Sequence, residues 1–194
     1  MGLISSLSDD ASLGPRLYPL SESGLIAVTI PIECLSTATT VTVSTLEVYR
    51  ILVPAGRAIT GAAVNVATAG VTPGSTNGSG FALYSDDGNT RVAITANDYT
   101  LFTTIGWRNK AFTAPVAAQP TDKWYRVAML HSCSGTAPKF GTNSSTASST
   151  WNFNVLGATH RRAFFVTATT AFPTTIAVAT AGTLDNPLLC LALY

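Results

Sequence analysis

Charge is what this 194-residue chain has least of. Asp, Glu, Lys and Arg make up 11% of it, against roughly 25% in ordinary soluble domains. With three Glu and three Lys in all, solvent-facing helices of the salt-bridged kind can hardly be built. The formal net charge is +1 and the basic residues are scattered, with only Arg161 and Arg162 adjacent. A phosphate backbone is bound by clustered cations, so nucleic acid is not expected as a partner.

Catalytic and cofactor signatures are equally sparse. The sequence has no GxSxG elbow, no P-loop and no GxGxxG, and its two His residues are far apart, which excludes an HExxH site. Three cysteines, Cys34, Cys133 and Cys190, are odd in number and widely spaced, so neither a disulfide framework nor a metal knuckle is implied. They read as small hydrophobes of a core, although one pair could bridge. His131-Ser-Cys133 puts suggestive residues together, but strand neighbours point to opposite faces, so Ser132 is expected to look away from the other two. Only ten acids exist, of which Asp86, Asp87 and Asp98 read as turn residues and Glu33 and Glu47 as strand residues, which leaves little for a glycosidase pair. The chain is expected to be no enzyme and to use no cofactor or metal.

Long apolar runs are missing too. No stretch of 18 uninterrupted apolar residues occurs, and the opening MGLISSLSDD lacks a basic n-region. Synthesis in the cytoplasm without membrane insertion is the expectation. Asn77-Gly-Ser79 and Asn143-Ser-Ser145 match glycosylation sequons but carry no weight without export.

What the chain does have is threonine, 29 residues of it, with 17 serines and an apolar share of 46%. Thr is β-branched and suits a pleated, half-buried surface. Period-two alternation runs through Leu25–Ile32, Val41–Val53 with a phase slip near Leu46 that suggests a bulge, and Ala58–Thr68. Phe81, Leu83 and Val92, Ile94 flank Ser85-Asp-Asp-Gly-Asn89, a hairpin in which Asp-Gly supplies the positive φ. Asp86, Asp87 and Asn89 therefore read as turn residues rather than cation ligands. Trp107, Phe112 and Val116 fall in a stretch read as irregular, whereas Lys123–Leu130 reads as a central strand apolar on both faces from Val127 onward, with Trp124 in the core. Residues 135–150 are a polar loop too poor in apolar side chains to pack, and Ala163–Thr169 and Pro187–Tyr194 complete the strands. Eight or nine strands without intervening helical patterns predict an all-β fold, an antiparallel, jelly-roll-like β-sandwich over residues 25–194.

Ahead of it, residues 1–24 form a short extended N-terminal arm, broken by Pro15 and Pro19. Its Leu3, Ile4, Leu7, Leu13 and Leu17 gain nothing from water and are expected to pack on a neighbouring chain. Glycan binding is the other candidate chemistry. An aromatic ring stacks on a pyranose while amides and Arg donate to its hydroxyls, and Tyr99, Trp107, Arg108 and Asn109 supply those groups, as do Trp151, Asn152 and Asn154. Each of these tryptophans also has the plainer reading of a core anchor.

Tyr49-Arg-Ile-Leu-Val-Pro-Ala-Gly56, Ile59-Thr-Gly61, Asn65-Val-Ala-Thr-Ala-Gly70, Leu83-Tyr-Ser-Asp-Asp-Gly88, Gly106-Trp107 and Phe112-Thr-Ala-Pro115 occur in an order and spacing that carry a resemblance. From about residue 45 to 194 the chain resembles the C-terminal β-sandwich of minor tail and other virion proteins of tailed phages infecting actinobacteria. The resemblance implies a virion component, at the tail tip or on the head surface, that forms a homo-oligomer and docks on other virion proteins through a short N-terminal segment. A trimer is the favoured assembly. The alternative is a carbohydrate-binding adhesin that recognises a glycan of the host envelope.

Overall fold

Where Thr, Val and Ala alternate, the chain pairs into strands, and the computed structural model contains twelve of them among its described residues. Those residues are 20–30, 32, 35–71, 78–133, 135–143, 163–167, 169–178, 182–183 and 188–194. The strands are β1 (Ala27–Val28), β2 (Thr37–Thr40), β3 (Leu46–Val53), β4 (Ile59–Thr68), β5 (Gly80–Ser85), β6 (Arg91–Ile94), β7 (Gly106–Val116), β8 (Lys123–Leu130), β9 (Lys139–Thr142), β10 (Ala163–Val166), β11 (Gly182–Thr183) and β12 (Leu191–Leu193). A 3-10 turn at Leu20–Ser23 precedes the strands.

The strands form two antiparallel six-stranded sheets. The first runs β1-β12-β4-β9-β2, with β7 also paired to β4, and the second runs β11-β10-β3-β8-β5-β6. From β2 to β5 and from β6 to β10 every step along the chain crosses from one sheet to the other, and the earliest strand lies against the latest, Ala27 opposite Leu193. This is an all-β sandwich of jelly-roll-like connectivity. Along one side the sheets are stitched together: Thr95, just past β6, bridges to Phe112 in β7, and the Thr113 hydroxyl donates to Ile94 O at 3.0 Å.

Alternation sorts the side chains into two cores. Odd-numbered residues of β3, β5 and β8 (Tyr49, Ile51, Phe81, Leu83, Tyr125, Val127, Met129) meet Val64, Val66, Phe112, Phe140 and Leu191 of the first sheet. Even-numbered residues (Leu46, Val48, Ala82, Tyr84, Ala128, Leu130) point the other way and are covered by Phe172, Ile176 and Val178. The second sheet is thus buried on both faces, as the two-sided apolar run in β8 predicts. Its cover is a strandless segment, residues 169–178, held by polar contacts to the β5–β6 hairpin. The Tyr84 hydroxyl donates to Pro173 O at 2.8 Å, Ile176 N to Gly88 O at 2.9 Å, and the Arg91 guanidinium to Phe172 O. Gly88 has φ +78°, the left-handed conformation the tight turn requires, and a Cβ there would collide with Ile176.

Several expectations need correction. Leu25–Ile32 is not a full strand, because only Ala27–Val28 pair, with β12. The phase slip near Leu46 is not a bulge. The chain turns there at Ser44, φ 61°, and passes from β2 in one sheet to β3 in the other. Gly106–Val116, read as irregular, is the longest strand among those described, and residues 135–150 include β9, whose Phe140 is fully buried. Trp124 is not a core residue. It is 41% exposed on the outer face of β8, where the Arg50 guanidinium lies 4.2 Å over its ring. The arm residues Leu3, Ile4, Leu7, Leu13 and Leu17 lie outside the described residues. Among those described, Leu20 is already buried.

Candidate functional site

The outer face of the first sheet is built from very small side chains. Register sets Asn65 opposite Trp107, Ala63 opposite Asn109, and Gly61 opposite Ala111, so these six share that face. Ala192 joins them opposite Ala63. A floor of Gly and Ala leaves space above it, and a groove of about 470 Å³ forms there, lined by Ser23, Gly24, Leu25, Ile32, Ala63, Trp107, Asn109 and Tyr194.

Trp107 stands 38% exposed at one wall. Tyr194 lies across Gly61, where a Cβ would fall on its hydroxyl and 2.6 Å from Lys110 O. Its backbone is tied down at the same point. Thr60 N and Gly61 N both donate to Tyr194 O, at 2.6 and 3.1 Å, and Tyr194 N donates to Gly61 O at 3.2 Å. Gly61 inside a strand is the kind of residue that marks a close approach, and it is the one sequence signal for this wall.

The structure therefore divides the four residues the sequence groups together. Trp107 and Asn109 share the groove. Arg108 points to the other face of β7, where its Nη2 donates to Ile105 O at 2.7 Å and its Nε is buried without a partner. Lys110, on that same face, holds Asp98 at 2.8 Å and so fixes the loop that carries Tyr99. That hydrogen bond from Lys110 keeps the Asp98 carboxyl below its ordinary range. Trp151, Asn152 and Asn154 lie outside the described residues.

Titratable groups inside the sandwich are dispersed. Glu47 is buried on β3 and accepts a 3.0 Å hydrogen bond from the Tyr49 hydroxyl. Burial pushes its carboxyl up to about 7, and that hydrogen bond only partly opposes the rise. His131 is fully buried, its Nε2 2.7 Å from Val41 O. A carbonyl can only accept, so Nε2 carries the proton, and Nδ1 is left without a partner. Burial holds this imidazole below its ordinary pKa, which keeps it neutral. Cys133 is buried as a free thiol, and Ser132 turns away to meet the Ser79 hydroxyl at 3.0 Å. No relay links the three. Among the described residues no three His, Cys, Asp or Glu converge as metal ligands, and no helix there is long and apolar enough to cross a membrane.

One ion cluster is built tightly. Asp86, in the β5–β6 turn, takes a bidentate contact from Arg50, Nε at 2.7 Å and Nη2 at 2.6 Å, and its carbonyl accepts from Arg126 Nε at 2.6 Å. Asp87 caps the same turn through Ser85, Asn89 N and the Asn89 amide. These acids are occupied in holding the hairpin, in keeping with their reading as turn residues.

No protein-family model matches the chain, and no curated protein matches it.

Proposed function

We propose that this chain is a non-catalytic structural protein of a phage virion, a minor tail or particle-surface component that assembles through its N-terminal arm and its β-sandwich. The observation that carries this reading is an uncharged, partly apolar sheet face. The outward positions of β4 are Gly61, Ala63 and Asn65, with the exposed Ala67 following them, and those of β7 beside them are Trp107, Asn109 and Ala111. Past the end where Val66 and Gly106 pair, Val71 and Ile105 are 56% and 61% exposed. The cores of symmetric interfaces are depleted of charge in this way, whereas a solitary protein keeps such a surface wet with Lys and Glu. Sequence resemblance to actinobacterial phage virion modules supports the same assignment.

Sedimentation equilibrium of the purified full chain tests it. A stable homo-oligomer, a trimer by preference, is expected, and Ala67→Glu, which places a charge on the exposed face, is expected to weaken it. A folded monomer at high concentration overturns the proposal.

A second reading, an adhesin for a host-envelope glycan, is favoured by one observation: Trp107 and Asn109 stand together in a groove.

A further inference from the structure

We infer that the groove between Trp107 and Tyr194 binds the end of a short neutral glycan, with Trp107 as the stacking platform and Asn109 as the hydroxyl-reading group. This rests on the adhesin reading and adds to it a subsite and a ligand class.

Unengaged polar groups argue for a ligand that forms hydrogen bonds. Among the described residues, the Trp107 indole N–H, the Asn109 amide and the Tyr194 hydroxyl make no hydrogen bond to protein, although all three line one groove. An apolar side chain from a second copy, seated there, would strip water from these groups and offer nothing in return. A pyranose offers both things needed, an apolar C–H face for an aromatic ring and a rim of hydroxyls for an amide that donates and accepts. Asn109 lies two residues along β7 from Trp107 on the same face, roughly 7 Å away, so one sugar ring spans both.

Charge selects the class. Among the described residues, no ionised side chain lines the groove. The two nearest cations along β7, Arg108 and Lys110, face the opposite side and are held by Ile105 O and Asp98. An acidic sugar would lose hydration of its carboxylate without gaining a counter-charge. The volume of about 470 Å³ falls in the roughly 300–1,000 Å³ range of small-ligand sites. Tyr194 is fixed on Gly61 by backbone hydrogen bonds, so little ordering is left for binding to supply.

The test is titration of the full chain, followed by tryptophan fluorescence and saturation-transfer NMR. One set of probes is neutral (cellobiose, lactose, N,N′-diacetylchitobiose, galactose and arabinose oligosaccharides). The other is acidic (glucuronic acid disaccharides, sialyllactose). Neutral sugars are expected to bind and acidic ones not, with roughly tenfold weaker binding in Trp107→Ala and in Asn109→Ala and unchanged binding in Arg108→Ala. Circular dichroism of each variant separates lost binding from lost fold. Preference for acidic sugars, or loss of binding in Arg108→Ala, overturns the neutral subsite while leaving the adhesin reading in place. Binding that is unaffected by Trp107→Ala places the sugar elsewhere and overturns the subsite as well. Failure of every sugar to bind removes the adhesin reading itself. A change of oligomer mass in Trp107→Ala without sugar binding assigns the groove to a second copy.

Discussion

Arg50 and Arg126 stand directly opposite each other on β3 and β8, two cations in register on one face of the second sheet. Like charges so placed repel. Asp86 resolves the conflict by reaching both from the hairpin turn, bidentate to Arg50 and 3.8 Å from Arg126 Nη2. Arg126 is fully buried, and burial lowers its pKa to about 10 even with Asp86 nearby. Removing the carboxylate leaves two facing guanidiniums in a poorly hydrated site. Asp86→Ala should cost about 2 kcal/mol, the lower part of the range for a broken buried pair because Asp86 is itself a third exposed. A shift in the urea midpoint with an unchanged slope is the expected reading.

Glu47 gives the protein a pH dependence of defined sign. Its folded-state pKa is about 7, against an ordinary 4.5. Below pH 4.5 both folded and unfolded chains hold the proton, and the group is neutral in the balance. Between 4.5 and 7 the folded chain keeps a proton that the unfolded chain has released, so stability falls as pH rises. Above 7 the full cost, about 3 kcal/mol, is in place. Glu47→Gln keeps an acceptor for Tyr49 and removes the charge. It should raise the thermal midpoint at pH 8 and leave it nearly unchanged at pH 4. Equal effects at both pH values would show that folding leaves the Glu47 carboxyl unshifted.

The strandless cover over the second sheet is expected to matter as much as a strand. Phe172→Ala removes a buried ring that packs on the even-numbered face and should cost about 3 kcal/mol. Thr175, in the same segment, is exposed, and Thr175→Ala should change stability by less than about 0.5 kcal/mol. Comparable losses for the two would mean that the segment does not pack on the sheet.

At Gly61 a single methyl group should distort the groove. Its Cβ would fall on the Tyr194 hydroxyl and crowd Lys110 O, an overpacking cost of about 1–3 kcal/mol. The double variant Gly61→Ala, Tyr194→Ala should recover only part of that loss, because the Lys110 carbonyl stays where it is. Full recovery would mean that the β4–β7 spacing adapts.

Much of the architecture was legible because β-structure writes itself as alternation. Val127–Leu130, apolar on consecutive positions, reveals a strand with neighbours on both faces, and Ser85–Asn89 reveals its turn through Asp-Gly. β7 stayed hidden for a physical reason. As a strand at the side of its sheet it buries only Phe112 and Val116, so its sequence has no hydrophobic period to read. Trp124 misled because ring size suggests burial, while here a guanidinium provides the ring's contact and leaves the rest in water. The groove was half visible. Trp107 and Asn109 sit two apart on a strand, but Tyr194, Ala63 and Ser23–Leu25 come to them only through pairings across the sheet, which local sequence does not encode. Arg108 was misplaced by the same gap. With β7 read as irregular, nothing signalled that adjacent residues must part to opposite faces.

The pairing of β1 with β12 also has a consequence for biogenesis. Thr29 reaches Leu189 O with its hydroxyl across 160 residues of sequence, and β4 cannot gain its β12 neighbour until Leu191–Leu193 has left the ribosome. Until then the first sheet is unfinished, with β1 and the β12 side of β4 unpaired, a state exposed to aggregation and to chaperones. Such distant closure makes for slow maturation, on the millisecond-to-second scale typical of non-local β folds. A chain synthesised in many copies would therefore be most at risk in the moments before β12 arrives.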